Sequence, residues 1–181
     1  MVDKIREALW RNLNELRYAI SMRNCLNEFT TAAPETNWGF FTYCTIALYN
    51  DIFSHEIKVL DKHKKAASFW YIRNCNFDLV NKLMEKHNIS IEEIEELSYK
   101  LKLIRDKTHF HIDKSGVIDP SVIWNEANIK GDYINEIIDK LYKVMNDVYR
   151  EKYGCDFGQP IHDGKDAGII VEACKIAGII I

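Results

Sequence analysis

The chain has 181 residues, of which 47% are hydrophobic and 28% are charged. This length and this balance suit one globular domain with a proper core, and they exclude a disordered chain and a membrane protein built from apolar helices. The formal net charge of -3 also excludes a broadly basic nucleic-acid binder. Any contact with nucleic acid therefore has to be local, and a cleft assembled from two copies of the chain can still concentrate Arg and Lys.

The five cysteines are far apart, odd in number and never spaced as Cys-x-x-Cys. This pattern favours reduced thiols over a disulfide framework or a zinc site. The N-terminal residues alternate in charge and lack the apolar core of a signal peptide. We therefore predict a cytoplasmic protein without a cofactor or a bound metal.

Apolar residues recur at steps of three and four along most of the chain, which predicts amphipathic helices. The first helix is expected over about residues 3–31, and Pro34 predicts the first turn of a second helix. The basic run at 62–65 predicts a solvated connection. A third helix is then expected to end near His87.

The start of the fourth helix has the clearest signal in the chain. Ser90 and Glu93 have the spacing of a capping box, and the helix leads directly into Arg105. A last long helix follows the turn signals between 115 and 120. Because almost no segment alternates between apolar and polar residues as a strand does, we predict an all-α, up-and-down bundle of about five helices over 1–153.

Residues 154–181 are predicted to form an apolar C-terminal tail. The tail is too short to span a membrane as a helix, and Glu172 and Lys175 interrupt it. We expect it to pack on the bundle or on a dimer partner. Binding of the tail to a membrane or to another protein is the alternative.

The segment 105–111, with the sequence RDKTHFH, places a permanent cation and two imidazoles at the end of the fourth helix. Arginine can hold phosphate and histidine can move protons, and cleavage of an RNA backbone without a metal requires both abilities. On an unbroken helix Arg105 and His109 share a face, whereas His111 lies on nearly the opposite side. If the helix ends near Thr108, a turn can bring His111 back towards Arg105.

Arg105, the adjacent Asp106 and, after five intervening residues, His111 resemble the motif of HEPN domains (higher eukaryotes and prokaryotes nucleotide-binding). That motif is an arginine and a histidine separated by four to six residues. The segment 103–113 is similar to the prokaryotic abortive-infection branch of the family. The likeness covers about residues 5–150 and implies a helical bundle that dimerises.

The resemblance implies a metal-independent endoribonuclease whose site lies at the dimer interface. In that site Arg105 stabilises charge on the transition state and His111 transfers protons. Asp106 orients Arg105 or His111 by a hydrogen bond. His109 is the alternate histidine. The resemblance also implies a toxin or a phage-defence component, with an antitoxin or a nucleotidyltransferase as a partner. Several toxin members carry a tyrosine just after the histidine as a modification target, and Ile112 and Asp113 stand here instead.

Two alternatives remain open at this point. The chain can be a non-catalytic helical module that binds RNA, a nucleotide or a protein. It can also be a metal hydrolase, because His109-x-His111-x-Asp113 resembles the start of a His-x-His-x-Asp-His run, although Lys114 replaces the last histidine and that run belongs to a sheet-rich fold. The remaining histidines are interpreted as structural or exposed, and they include His55, His63, His87 and His162.

Overall fold

The structure is a computed structural model, and it describes residues 3–33, 39–109 and 121–178. These residues form eight α-helices, one π-helical turn and no strand, which confirms the all-α prediction. The α-helices are α1 (Lys4–Ala32), α2 (Gly39–Leu60), α3 (Phe69–Cys75), α4 (Phe77–Lys86), α5 (Ile91–Ile104), α6 (Ser121–Ala127), α7 (Gly131–Tyr153) and α8 (Lys165–Ile176). No helix in these ranges combines the length and the apolar character that crossing a membrane requires.

The helix count differs from the predicted five because one predicted helix is divided into two and because two further helices form. The predicted third helix is divided at Asn76, whose backbone leaves the helical region at φ -141° and ψ 44°. The Asn76 side chain donates to the carbonyl of Ile72 over 2.9 Å, so it ends the first of the two helices with a local hydrogen bond. Two further short helices, α6 and α8, lie in parts of the chain where no helix was predicted. Pro34, the predicted start of the second helix, lies outside the described residues.

The chain divides into two compact units, which are described separately. Unit 1 comprises Met1–Leu13 and Ile57–Phe157, and unit 2 comprises Asn14–Glu56 and Gly158–Ile181. Helices α1 and α2 each contribute residues to both units. The division expected from the sequence, into a helical bundle over 1–153 and a tail over 154–181, remains a prediction.

Unit 1 is built on apolar helix faces. Helix α4 packs against α7, and α5 packs against both α6 and α7. Burying a large apolar side chain stabilises a fold by roughly 1.5–3 kcal/mol, and α5 alone buries Ile94, Leu97, Leu101 and Ile104. The predicted capping box is confirmed, since the Ser90 hydroxyl accepts from the Glu93 amide and the Glu93 carboxylate accepts from the Ser90 amide. The helix that carries Arg105 therefore has a fixed start and a buried face.

A buried carboxylate joins α4 to α7 inside unit 1. Asp147 Oδ2 lies 2.6 Å from Lys86 Nζ and 2.9 Å from His87 Nε2, and its other oxygen pairs with Arg150. Burial by itself raises the pKa of Asp147, but the hydrogen bonds from Lys86 and His87 and the charge of Arg150 outweigh it and leave the pKa below its ordinary value. The interpretation of His87 as a structural or exposed histidine agrees with this pairing.

Unit 2 has a small core of its own. Phe29, Phe41 and Val171 are buried, and the rings of the two phenylalanines are 4.8 Å apart. Ala167 and Cys174 of α8 pack on the same cluster. The apolar C-terminal segment is thus partly helical, and it uses one face of α8 for packing inside unit 2.

Candidate functional site

Arg105 is the first residue of a π-helical turn, Arg105–His109, that continues α5. Such turns with i→i+5 hydrogen bonds are rare and often occur at functional sites. Arg105 Nε donates to Asp106 Oδ1 over 2.8 Å, and Arg105 Nη2 is 2.7 Å from the same oxygen. The two neighbours that the sequence selected therefore touch, and the carboxylate orients the guanidinium group.

A groove with a volume of about 550 Å³ lies beside Arg105, within unit 1. Its lining contains three cations, Lys62, Lys102 and Arg105, and one acidic residue, Asp61. His63 and Tyr99 also line it, and Tyr99 is 69% exposed. The rest of the lining consists of Ile57, Leu60, Ser98 and Leu101. We call this cavity the Arg105 groove.

Hydrogen bonds to the end of α2 hold the groove in shape. The Leu60 carbonyl accepts from Ser98 Oγ of α5 and from Trp70 Nε1 of α3, both over 2.9 Å. The next carbonyl, of Asp61, accepts from Ser68 Oγ over 2.6 Å. Because these carbonyls have no partner in the next turn of a helix, the side chains satisfy them and fix the path of the connection that follows α2.

Lys62 is held in place by two contacts. Its ammonium group lies 4.4 Å from the centre of the Trp70 ring and 3.3 Å from Glu95 Oε1. Both Lys62 and Glu95 are about half exposed, so water screens this ion pair and its attraction is weak. Lys62 therefore keeps much of its ability to attract an anion.

His63 was interpreted from the sequence as structural or exposed, and the structure places it in the same groove as Arg105. Its backbone amide donates to Asp61 Oδ1 over 2.9 Å, and its Nδ1 accepts from the Lys65 amide over 3.3 Å. In a neutral ring this leaves the proton on Nε2. Sequence reasoning missed His63 because it lies in a solvated basic run, and nothing in the local pattern links that run to the end of α5.

The two histidines of the predicted motif are only partly placed. The helix does not stop before His109, whose backbone belongs to the π-helical turn. The His109 side chain, all of His111 and Asp113 lie outside the described residues. Pairing of Arg105 with His109 or with His111 therefore remains a prediction, as does the metal alternative built on His109, His111 and Asp113.

A second groove in unit 1, with a volume of about 310 Å³, is also basic. Lys4 and Arg11 of α1 line it together with Lys64, Lys65 and Tyr71, and Glu7 is its acidic member. The connection between α2 and α3 thus gives Lys62 and His63 to the Arg105 groove and the next two lysines to this second groove. The cations of an acidic chain are concentrated locally, as contact with RNA requires.

A titratable group with a strongly shifted pKa lies in unit 2. Glu56 is only 4% exposed, and burial raises its pKa from 4.5 to about 8, while the charge of Arg23 opposes that rise. His55, one residue before it, is paired with Glu15 over 2.5 Å and stacks on the Tyr18 ring at 5.4 Å. These contacts agree with the interpretation of His55 as a structural or exposed histidine, and the burial of Glu56 was not predicted.

No family model, curated protein or solved structure matches this chain. The likeness to HEPN domains is therefore carried by the residues of the motif alone. The Arg105 groove is the stronger basis for assigning a function, because it assembles charged side chains from separate parts of the sequence.

Proposed function

We propose that the chain is a metal-independent endoribonuclease that binds the RNA backbone in the Arg105 groove. The observation that carries the proposal is the convergence of Lys62, Lys102 and Arg105 with His63 in one cavity of about 550 Å³. The cations supply phosphate binding, and an imidazole supplies proton transfer.

The groove suits single-stranded RNA for two reasons. Its lining contains three cations and one acidic residue, Asp61, and all three cations can attract a phosphate. Asp106 and Glu95 pair with Arg105 and Lys62, so a bound phosphate would compete with these carboxylates. Tyr99 is an exposed aromatic ring in the same lining, and exposed rings bind the faces of unpaired bases by stacking. A cavity that combines both features fits a nucleotide with its phosphate better than it fits an uncharged ligand.

Cleavage would proceed by attack of a ribose 2′-hydroxyl on the adjacent phosphorus. A histidine removes the hydroxyl proton as the new P–O bond forms, and a second acid protonates the departing 5′-oxygen as the old P–O bond breaks. Arg105 stabilises the extra charge on the non-bridging oxygens, and Asp106 orients Arg105 by accepting its hydrogen bonds. The resemblance assigns the proton transfer to His111 or His109, and His63 is a further candidate inside the groove.

The wider setting of the proposal comes from the resemblance. It implies a cytoplasmic homodimer in which two copies of Arg105 and His111 face one another across a two-fold axis. It also implies a toxin or a phage-defence component, with an antitoxin or a nucleotidyltransferase as its partner.

The test is cleavage of a fluorescent single-stranded RNA by the purified chain in EDTA. Replacement of a catalytic histidine lowers the rate by a factor of about 10² to 10⁴, so one of the variants His111→Ala, His109→Ala and His63→Ala should be nearly inactive. Arg105→Ala should also be nearly inactive, because it removes the group that stabilises charge in the transition state. His87→Gln is the matched control, because His87 is bonded to Asp147 and does not line the groove. Cleavage by all variants at the wild-type rate would refute the nuclease.

The alternative is a module that binds RNA in the same groove without cutting it. It is favoured by the fact that, among the described side chains, His63 is the one imidazole in the lining, whereas cleavage needs both a base and an acid. Fluorescence anisotropy with the same RNA separates the two functions. Binding that weakens in Lys102→Gln, with no cleavage in EDTA, would establish the module, and no binding at all would overturn both.

A further inference from the structure

Three side chains with metal-binding atoms meet in unit 2. Cys25 lies on α1, His162 precedes α8, and Asp166 is in the first turn of α8. One sulfur, one ring nitrogen and one carboxylate oxygen from these residues all lie within 4.8 Å of one another. His162 Nδ1 and Asp166 Oδ1 are 3.8 Å apart.

The loop that carries His162 is fixed to α1 by its backbone. The His162 amide donates to Ser21 Oγ over 2.9 Å, and Asn24 Nδ2 donates to the His162 carbonyl over 2.8 Å. Gly164 has φ +80°, and a Cβ added to it would lie 2.5 Å from the backbone of Asn24. Only glycine fits this close approach, so the approach of His162 to Cys25 is built into the fold.

The charges around Cys25 favour a cation. The negative charges of Asp166 and Asp163 both act on the Cys25 side chain. A divalent ion would be attracted to these carboxylates and would stabilise the thiolate of Cys25. Lys165 pairs with Asp163 over 3.1 Å and leaves Asp166 as the carboxylate of the cluster.

We propose that Cys25, His162 and Asp166 bind a Zn²⁺ ion, with water as the fourth ligand. Zinc accepts sulfur, nitrogen and oxygen donors in one tetrahedral site, and three protein ligands with one water are a common set. Ligand atoms around such an ion are about 3.3–3.6 Å apart, given bond lengths of about 2.0–2.3 Å. Atoms that now lie within 4.8 Å of one another must therefore approach by about 1.5 Å at most, and the exposed side chains of His162 and Asp166 can rotate by that amount.

If His162 binds the metal through Nδ1, its ring must give up a hydrogen bond. That nitrogen now accepts from the Gly164 amide over 3.1 Å, and a metal at Nδ1 would take the same lone pair. The bound ion would tie the start of α8 to α1 and stabilise unit 2, because metal binding to the folded state adds to its stability. The site does not take part in the proposed RNA cleavage, which proceeds in EDTA.

The test uses Co²⁺ as a substitute for Zn²⁺, because the absorption spectrum of bound Co²⁺ shows whether a thiolate is among its ligands. Titration of the full chain, kept reduced, should give a thiolate-to-cobalt charge-transfer band that saturates at one ion per chain and disappears when Zn²⁺ is added. Cys25→Ser should abolish the band, and His162→Asn and Asp166→Asn should weaken binding at least about tenfold. Cys174→Ser is the matched control, because this cysteine is also partly buried and is not in the cluster.

Alkylation provides a second measurement that needs no variant. Zn²⁺ should slow the reaction of Cys25 with iodoacetamide at least about tenfold, since a bound thiolate is a poor nucleophile, and it should leave Cys174 unchanged. No charge-transfer band in the wild-type chain, a band that persists in Cys25→Ser, or equal alkylation of Cys25 with and without Zn²⁺ would each overturn the site.

Discussion

Replacement of Glu56 by glutamine should remove most of the pH dependence of the stability of unit 2. The side chain is 4% exposed, and burial raises its pKa from 4.5 to about 8. The folded chain therefore holds a proton on Glu56 over a range of pH in which the unfolded chain has lost it. Since the folded state binds more protons there, its stability falls as the pH rises from about 4.5 to about 8.

The size of the effect follows from the same two values. Each pH unit between them corresponds to about 1.4 kcal/mol, so the full difference is roughly 5 kcal/mol. Water that reaches the carboxylate after local opening would reduce this figure, which makes it an upper limit. In Glu56→Gln the side chain is neutral at every pH, so the variant should match the wild type near pH 4.5 and be more stable by several kcal/mol above pH 8.

The assay is chemical unfolding followed by circular dichroism at about pH 5, pH 7 and pH 9. Hydrogen exchange of peptides from α2 should be measured beside it, because two compact units need not unfold together. Glu28→Gln is the matched control, since Glu28 is an exposed glutamate on α1 in the same unit. Parallel pH profiles for the wild type and Glu56→Gln would refute the reasoning, as would an equal gain in Glu28→Gln.

Three further predictions concern unit 1. Ser90→Ala removes one half of the capping box and should lower the free energy of unfolding by about 1 kcal/mol; an unchanged urea midpoint would contradict this role. Asp147→Asn leaves Lys86, His87 and Arg150 without their shared carboxylate, at a cost of roughly 2 kcal/mol near pH 7, because two of these partners are half exposed. Since the pKa of Asp147 lies below its ordinary value of 3.8, the stability it contributes is present above that value and is lost as the pH falls further, so wild type and variant should converge in acid. Lys102→Gln should make RNA binding less dependent on salt, and the slope of log K against log salt concentration should become shallower by about 0.7. Lys143 lies outside both grooves, so Lys143→Gln should leave this slope unchanged.

Local signals in the sequence predicted much of the secondary structure. The first helix was placed to within one residue of each end, and the capping box at Ser90 and Glu93 was found where it was expected. Both depend on neighbours within one or two helical turns, which the sequence displays directly. The break at Asn76 was missed because the apolar residues keep their spacing on both sides of it.

The candidate sites were much less predictable. The sequence selected Arg105 and Asp106, and the structure shows them in contact. It could not connect them with Lys62 and His63, because those residues reach the groove only through the way the end of α2 packs beside α5. The sequence predicted partners of Arg105 along the chain after it, whereas half of the groove lining comes from the end of α2 and the connection that follows it.

The sequence by itself determined the helical class, the start of α5 and the residues at its end, since periodicity and capping are local properties. Only the tertiary structure decided which distant residues share a site. Cys25 and His162 show this most clearly: the cysteine spacing indicated no zinc site, yet the loop at Gly164 brings a thiol, an imidazole and a carboxylate to within 4.8 Å. Contacts between residues far apart in the chain depend on the packing of whole helices, and no short window of sequence contains that information.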